Sequence, residues 1–130
     1  MKKPNNARVE VRDTGAMGRG VFARRAISKG KLIEACPIIL LSAADERSLE
    51  GTTLDQYLFA WGDGDEGTCL VLGLGSLYNH SAAPNAAACR NEAKLRMDFV
   101  ALRDIAADEQ IFVDYQWEAE EYDFDQGAPG

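Results

Sequence analysis

The sequence predicts a β-rich or all-β domain with one short helix. Short apolar runs alternate at period two, as in Arg8-Val9-Glu10-Val11-Arg12 and from Leu95 to Ala101. Glycine, at 12 of 130 residues, favours turns over long helices, and one segment alone carries a strong helix-start signal. A chain of 130 residues is too short for two self-sustaining cores, so it reads as a single domain with a body over about 9–117 and an acidic, aromatic segment over 118–130.

The first strand stops at Asp13-Thr14-Gly15. Gly15-Ala16-Met17-Gly18-Arg19-Gly20 is too glycine-rich for a helix interior and suits a tight turn or a close approach to a ligand. Val21-Phe22-Ala23 restarts a strand, and Ile27-Ser28-Lys29-Gly30 turns into a further strand from Lys31 to Cys36. Pro37 ends or edges that strand, with Ile38 to Leu41 as a short continuation, so the first forty residues read as two hairpin-like pairs. Ser42 and Asp45 have capping-box spacing and open a helix of about two turns that Gly51 closes.

Leu54 to Trp61 mixes aromatic and branched residues before the turn Gly62-Asp63-Gly64-Asp65-Glu66-Gly67, and Thr68 to Leu72 returns as a strand. The turn lacks the remaining spacing of a calcium loop and reads as a solvated tip. Gly73 to Asn85 is dense in small and polar residues; Leu95 to Ala101 reads as a half-buried strand, and Arg103 to Glu109 leads into Gln110-Ile111-Phe112-Val113. Trp117, Tyr122 and Phe124 imply that at least the first half of the C-terminal segment packs on the body.

Twenty-one acidic against fourteen basic residues give a net charge of -7, which disfavours nucleic acid as a direct partner and favours a basic one. No apolar run is long enough for a membrane span and no signal-peptide core follows Met1, so the chain is expected to be intracellular, with an export route that reads other features left open. Cys36, Cys69 and Cys89 form no CxxC pair and the chain has one histidine, so neither a disulfide framework nor a metal site is expected. The glycine loop lacks both dinucleotide-fold and phosphate-loop spacing, and His80 beside Ser81 is not a nucleophile–base arrangement.

Three segments resemble the SET-domain family of protein lysine methyltransferases. They are Gly18-Arg19-Gly20-Val21-Phe22-Ala23 with its return at Ile27 to Gly30, Asn79-His80-Ser81-Ala82-Ala83-Pro84-Asn85, and Glu109-Gln110-Ile111-Phe112-Val113-Asp114-Tyr115. Tyr57-Leu58-Phe59 also resembles the family's middle strand. The resemblance implies short curved sheets and a C-terminal pseudoknot, in the minimal form of the domain without flanking zinc modules. It also implies S-adenosylmethionine on one side and a lysine channel on the other, which Trp117 and the aromatics after it would help to close.

By resemblance, Tyr115 stands at the methyl-transfer centre, with Tyr78 and Tyr57 lining the lysine channel or touching the cofactor. Met17, Gly18, Arg19, Asn79 and His80, together with Tyr57, fall at cofactor positions. Asp114 and Asn85 are expected to lock the pseudoknot, and Phe112 to be core. Ser76, Ala82, Gln110 and Val113 depart from the family's usual residues, and Val113 leaves the number of methyl groups open. The implied substrate is a lysine in a basic protein segment such as a histone tail; the competing reading is a noncatalytic module that binds basic peptides. The small size also leaves room for a homodimer that completes the core or the substrate groove.

Overall fold

The structure, a computed structural model, describes residues 8–115. Trp117, Tyr122 and Phe124, and with them the expected packing of the C-terminal segment, lie outside these residues. In chain order the strands are β1 (Val9–Asp13), β2 (Arg19–Ala23), β3 (Leu32–Leu41), β4 (Phe59–Trp61), β5 (Gly67–Val71), β6 (Asn79–His80), β7 (Ala86–Asn91), β8 (Arg96–Ala101) and β9 (Gln110–Val113). One helix, α1 (Ala43–Leu49), follows β3. The strands form a four-stranded sheet, β1-β2-β9-β6, and a five-stranded sheet, β4-β5-β3-β8-β7.

The alternation in β1 and β2 produces the expected antiparallel hairpin, from Val9 opposite Ala23 to Asp13 opposite Arg19. Side chains pin its glycine loop: Gly15 N donates to Asp13 Oδ1 and Met17 N to Thr14 Oγ1, each at 2.8 Å. Gly18 takes φ +68°, a left-handed conformation that glycine adopts without the steric cost of a Cβ. The second expected hairpin does not form. β2 pairs instead with β9, while β3 lies in the other sheet between β5 and β8.

Pro37 does not end β3. It falls where the strand changes its register partner, since Pro37 aligns with Arg96 of β8 and Ile38 with Val71 of β5. A missing N–H is tolerated there because neither ladder runs continuously through that position. Tyr57-Leu58-Phe59 is likewise not one strand: Tyr57 closes a 3₁₀ turn over Thr53–Tyr57, and strand geometry begins at Phe59. α1 starts as predicted, with Asp45 N donating to Ser42 Oγ and Ser42 N to Asp45 Oδ2, each at 3.0 Å. The acidic tip after β4 is exposed at Asp63 to Glu66, but it is tethered by Arg90, which donates to Gly62 O at 2.9 Å and pairs with Asp65.

β8 is buried on both faces, not half-buried. Met97, Phe99 and Ala101 join the main core, while Val100 packs with Ala87 and Cys89 in a smaller cluster. Leu95 stands outside the strand in a turn, half exposed and at φ +51°. The main core joins the two sheets through Val21, Ile111 and Val113 from one and Ile33, Cys36 and Phe99 from the other. Phe112, expected in the core, points away from it and is only partly buried. All three cysteines are free and buried, and desolvation pushes the thiols of Cys69 and Cys89 up to about 11 and about 12.

Closure comes from a parallel contact between β6 and β9, Asn79 opposite Phe112 and His80 opposite Val113. Asn85, only 1% exposed, stitches the crossing. Its amide donates to Gln110 O at 2.9 Å and Glu109 Oε2 at 3.3 Å, while its Oδ1 accepts from Phe112 N at 2.8 Å. Its backbone carbonyl accepts from Leu102 N at 2.9 Å. This is the pseudoknot-like closure expected from the sequence, and it delivers Tyr115 to the end of β6.

Candidate active site

Two adjoining cavities meet beyond the ends of β6 and β9. One, of about 420 Å³, is lined in part by Gln56, Leu58, Phe59 and Ala60. The other, of about 360 Å³, is lined in part by Met17, Gly18, Arg19, Leu77 and Asn79. Tyr57, Ser76, Tyr78 and Tyr115 line both. Volumes in this range hold small ligands or a long side chain.

The glycine loop forms one edge of the second cavity. Asn79 binds it from β6: its amide nitrogen donates to Arg19 O at 3.0 Å and to Gln110 Oε1 at 2.9 Å. Gly20 leaves room for this bridge: a Cβ there would lie 2.4 Å from Gln110 Oε1 and 2.9 Å from Asn79 Nδ2 and would displace these side-chain ends. With both amide hydrogens committed, Asn79 offers only its carbonyl oxygen to a ligand.

Tyr115 is held from two sides. Its backbone N–H donates to His80 Nδ1 at 3.1 Å, and the two rings lie 5.0 Å apart. Nδ1 therefore accepts, which places the imidazole proton of the neutral form on Nε2. Asp114, expected to help lock the crossing, has Oδ1 3.7 Å from the same nitrogen. The Tyr115 hydroxyl donates to the backbone carbonyl of Tyr78 at 2.7 Å. A phenol has one hydrogen to give, so the oxygen presents lone pairs elsewhere. Burial, reinforced by Tyr57, raises its pKa above the ordinary 10.0 and keeps it a neutral phenol near physiological pH.

Tyr78 is 1% exposed, and its hydroxyl turns into the protein to donate to Glu34 Oε1 at 2.8 Å. The ring stacks on Phe99 with centroids 4.3 Å apart and planes 14° apart. Burial first, and Glu34 second, push its pKa far up, so it too is a neutral phenol. What Tyr78 directs toward Tyr115 is thus its main-chain carbonyl.

Of the residues singled out from the sequence, Met17, Gly18, Arg19, Tyr57, Tyr78, Asn79 and Tyr115 are brought together around the two cavities. His80 lines neither and holds Tyr115 from behind. Gln56 and Ser76 were not expected at the site. Ser76 donates to Val71 O at 2.9 Å, which fixes the turn before Tyr78. The sequence signal for Gln56 was adjacency to Tyr57, and Ser76 stood out there as a departure from the family's usual residue near Tyr78.

Residues 18–116 match the SET domain. A Schizosaccharomyces pombe histone-lysine N-methyltransferase, H3 lysine-37 specific, is 34% identical over 108 residues, spanning 82% of this chain and 72% of that protein. The crystal structure of a Plasmodium falciparum protein assigned as a histone methyltransferase superposes with a TM-score of 0.68 at 28% identity, covering 85% of this chain and 95% of that one.

Proposed function

This chain belongs to the SET-domain family and is a lysine methyltransferase, and from that premise we propose that it methylates a lysine of a basic, histone-tail-like segment, with Tyr115 at the point of transfer. The reading rests chiefly on the wall that two cavities share: Tyr57, Ser76, Tyr78 and Tyr115 face both, as a reaction joining two separately entering reactants requires. S-adenosylmethionine, when bound, supplies a methyl group on a sulfonium.

The cavity beside the glycine loop suits that cofactor. Asn79 Oδ1 is an acceptor suited to an ammonium, and the Arg19 guanidinium, unpaired among the described residues, is suited to a carboxylate. Met17 and Gly18 of the fixed glycine loop line the same cavity, and Tyr57 lines both cavities. His80 acts at this site by holding Tyr115.

The cavity bounded by Leu58, Phe59 and Tyr57 receives the lysine side chain. An amine attacks only when neutral, and free lysine has a pKa near 10.4, so these apolar walls favour the reactive form. Because the Tyr115 hydrogen is committed to Tyr78 O, its oxygen accepts an amine N–H without occupying the nitrogen lone pair. That leaves the lone pair free to point along the transfer line. The net charge of -7 steers a basic segment toward the enzyme.

Two measurements follow. Purified protein incubated with methyl-labelled S-adenosylmethionine, core histones and lysate proteins is expected to label lysine, with mass spectrometry locating the residue. Retained binding of basic peptides with no transfer and no cofactor binding would overturn the enzyme reading in favour of a noncatalytic module. Single-turnover rates are expected to rise about tenfold per pH unit while the bound amine remains mostly protonated. No downturn from Tyr115 is expected near physiological pH, since burial holds its phenol above the ordinary value and it loses its proton only in a more alkaline range. A downturn near pH 8 that disappears in Tyr115→Phe would contradict this assignment.

A further inference from the structure

We infer that Glu34 is a positioning residue for methyl transfer, acting through Tyr78 on the hydroxyl of Tyr115; the inference rests on the role proposed for Tyr115. Glu34 belongs to β3 in the five-stranded sheet, well before the segment that carries Tyr78. Its carboxylate reaches that segment twice, accepting from Leu74 N at 3.0 Å and from the Tyr78 hydroxyl at 2.8 Å. The loop closes tightly around it, since a Cβ on Gly73 would stand 2.7 Å from Glu34 Oε2.

Tyr78 is consequently fixed at both ends. Its ring is clamped by Phe99 of the neighbouring strand β8 and its tip by Glu34. A side chain held this way limits rotation of its own peptide unit, and that unit's carbonyl aims the Tyr115 hydroxyl. Glu34 therefore reaches the transfer point through one side chain and one main-chain hydrogen bond.

Packing alone gives no reason for a carboxylate here. Glu34 is partly buried, has the Cys36 thiol against it, and forms no ion pair with a lysine or arginine among the described residues. A leucine opposite phenylalanine would fill such a position without desolvating a charge. What the carboxylate adds is direction, because it accepts from two donors on the segment that leads into Asn79.

The test is a double-mutant cycle read by single-turnover and steady-state transfer with full-length protein, methyl-labelled S-adenosylmethionine and the core-histone peptide that it labels most strongly. Tyr78→Phe and Glu34→Leu are each expected to lower kcat about tenfold with KM for both substrates within about twofold. Glu34→Gln, which retains an acceptor for the Tyr78 hydroxyl, is expected to restore most of that loss. In a Tyr115→Phe background the same changes are expected to cost little further, because the link ends at the missing hydroxyl.

Equal losses in both backgrounds, or a raised KM at unchanged kcat, would reduce Glu34 to a structural residue and overturn the inference. If Glu34→Leu does not fold, Tyr78→Phe decides alone, since it removes the same hydrogen bond while keeping the ring on Phe99. Wild-type transfer by Tyr115→Phe would instead overturn the underlying assignment. Impaired Tyr115→Phe beside wild-type Tyr78→Phe would overturn the positioning role of Glu34 only.

Discussion

Tyr115→Phe is expected to lower single-turnover methyl transfer by about a hundredfold or more, the range seen when a preorganised polar group at a reaction centre is removed. The substitution deletes one oxygen. Its hydrogen bond ends on a main-chain carbonyl at the wall of an open cavity, while the ring contact with His80 and the backbone bond to His80 Nδ1 remain. Folding and cofactor affinity are therefore expected to change little, the former by less than about 1 kcal/mol. Calorimetric titration with S-adenosylmethionine and a thermal melt run beside the rate measurement separate these quantities. Transfer within about threefold of wild type would remove Tyr115 from the chemistry.

The second large effect falls on stability. Asn85→Leu is expected to cost about 3 kcal/mol, because it strands Gln110 O and Phe112 N in the crossing, each at a desolvation cost of about 1–3 kcal/mol. Leucine matches the volume but supplies neither donor nor acceptor. The expected signature is a fall of roughly 10 °C in the melting midpoint, with the corresponding reduction in the urea midpoint. Activity falls with it, since the same residues carry β9 into Tyr115. An unchanged midpoint would mean that strand pairing alone holds β6 to β9.

The parts of this fold that were legible in the sequence are those where local chemistry agrees with the final structure. β1 and β2 alternate cleanly, Ser42 and Asp45 cap a helix that forms where expected, and Gln110 to Val113 is a strand. β7 escaped notice because Ala86, Ala87 and Ala88 have weak strand preference; β8 alongside them makes them a strand. β8 itself has alternating chemistry but two buried faces, since a second small cluster covers Val100. Pro37 reads as a stop signal, yet partner exchange at that register allows the strand to continue.

The site divides in the same way. Motif resemblance singled out Asn79, Tyr115 and the glycine loop, which lie in short contiguous segments and line the candidate cavity. It did not reveal that Tyr78 points its hydroxyl inward, because the acceptor, Glu34, is on a distant strand without a motif of its own. Nor did it place Phe112 correctly: an aromatic between Ile111 and Val113 looks apolar from its neighbours, but strand alternation turns it to the opposite face.

The pairing of Val21 with Ile111 sets an order of events during synthesis. A nascent chain that has emerged as far as Ala101 already contains all strands of the five-stranded sheet, β3, β4, β5, β7 and β8. It still lacks β9, so the β1–β2 hairpin and β6 have no strand to join them, and Tyr115 has not been made. Closing such a distant contact is the slow, entropically costly part of folding. Of the two sheets, the four-stranded one is therefore the later to close, and incomplete products released from the ribosome before β9 lack the contact that ties β6 to the β1–β2 hairpin.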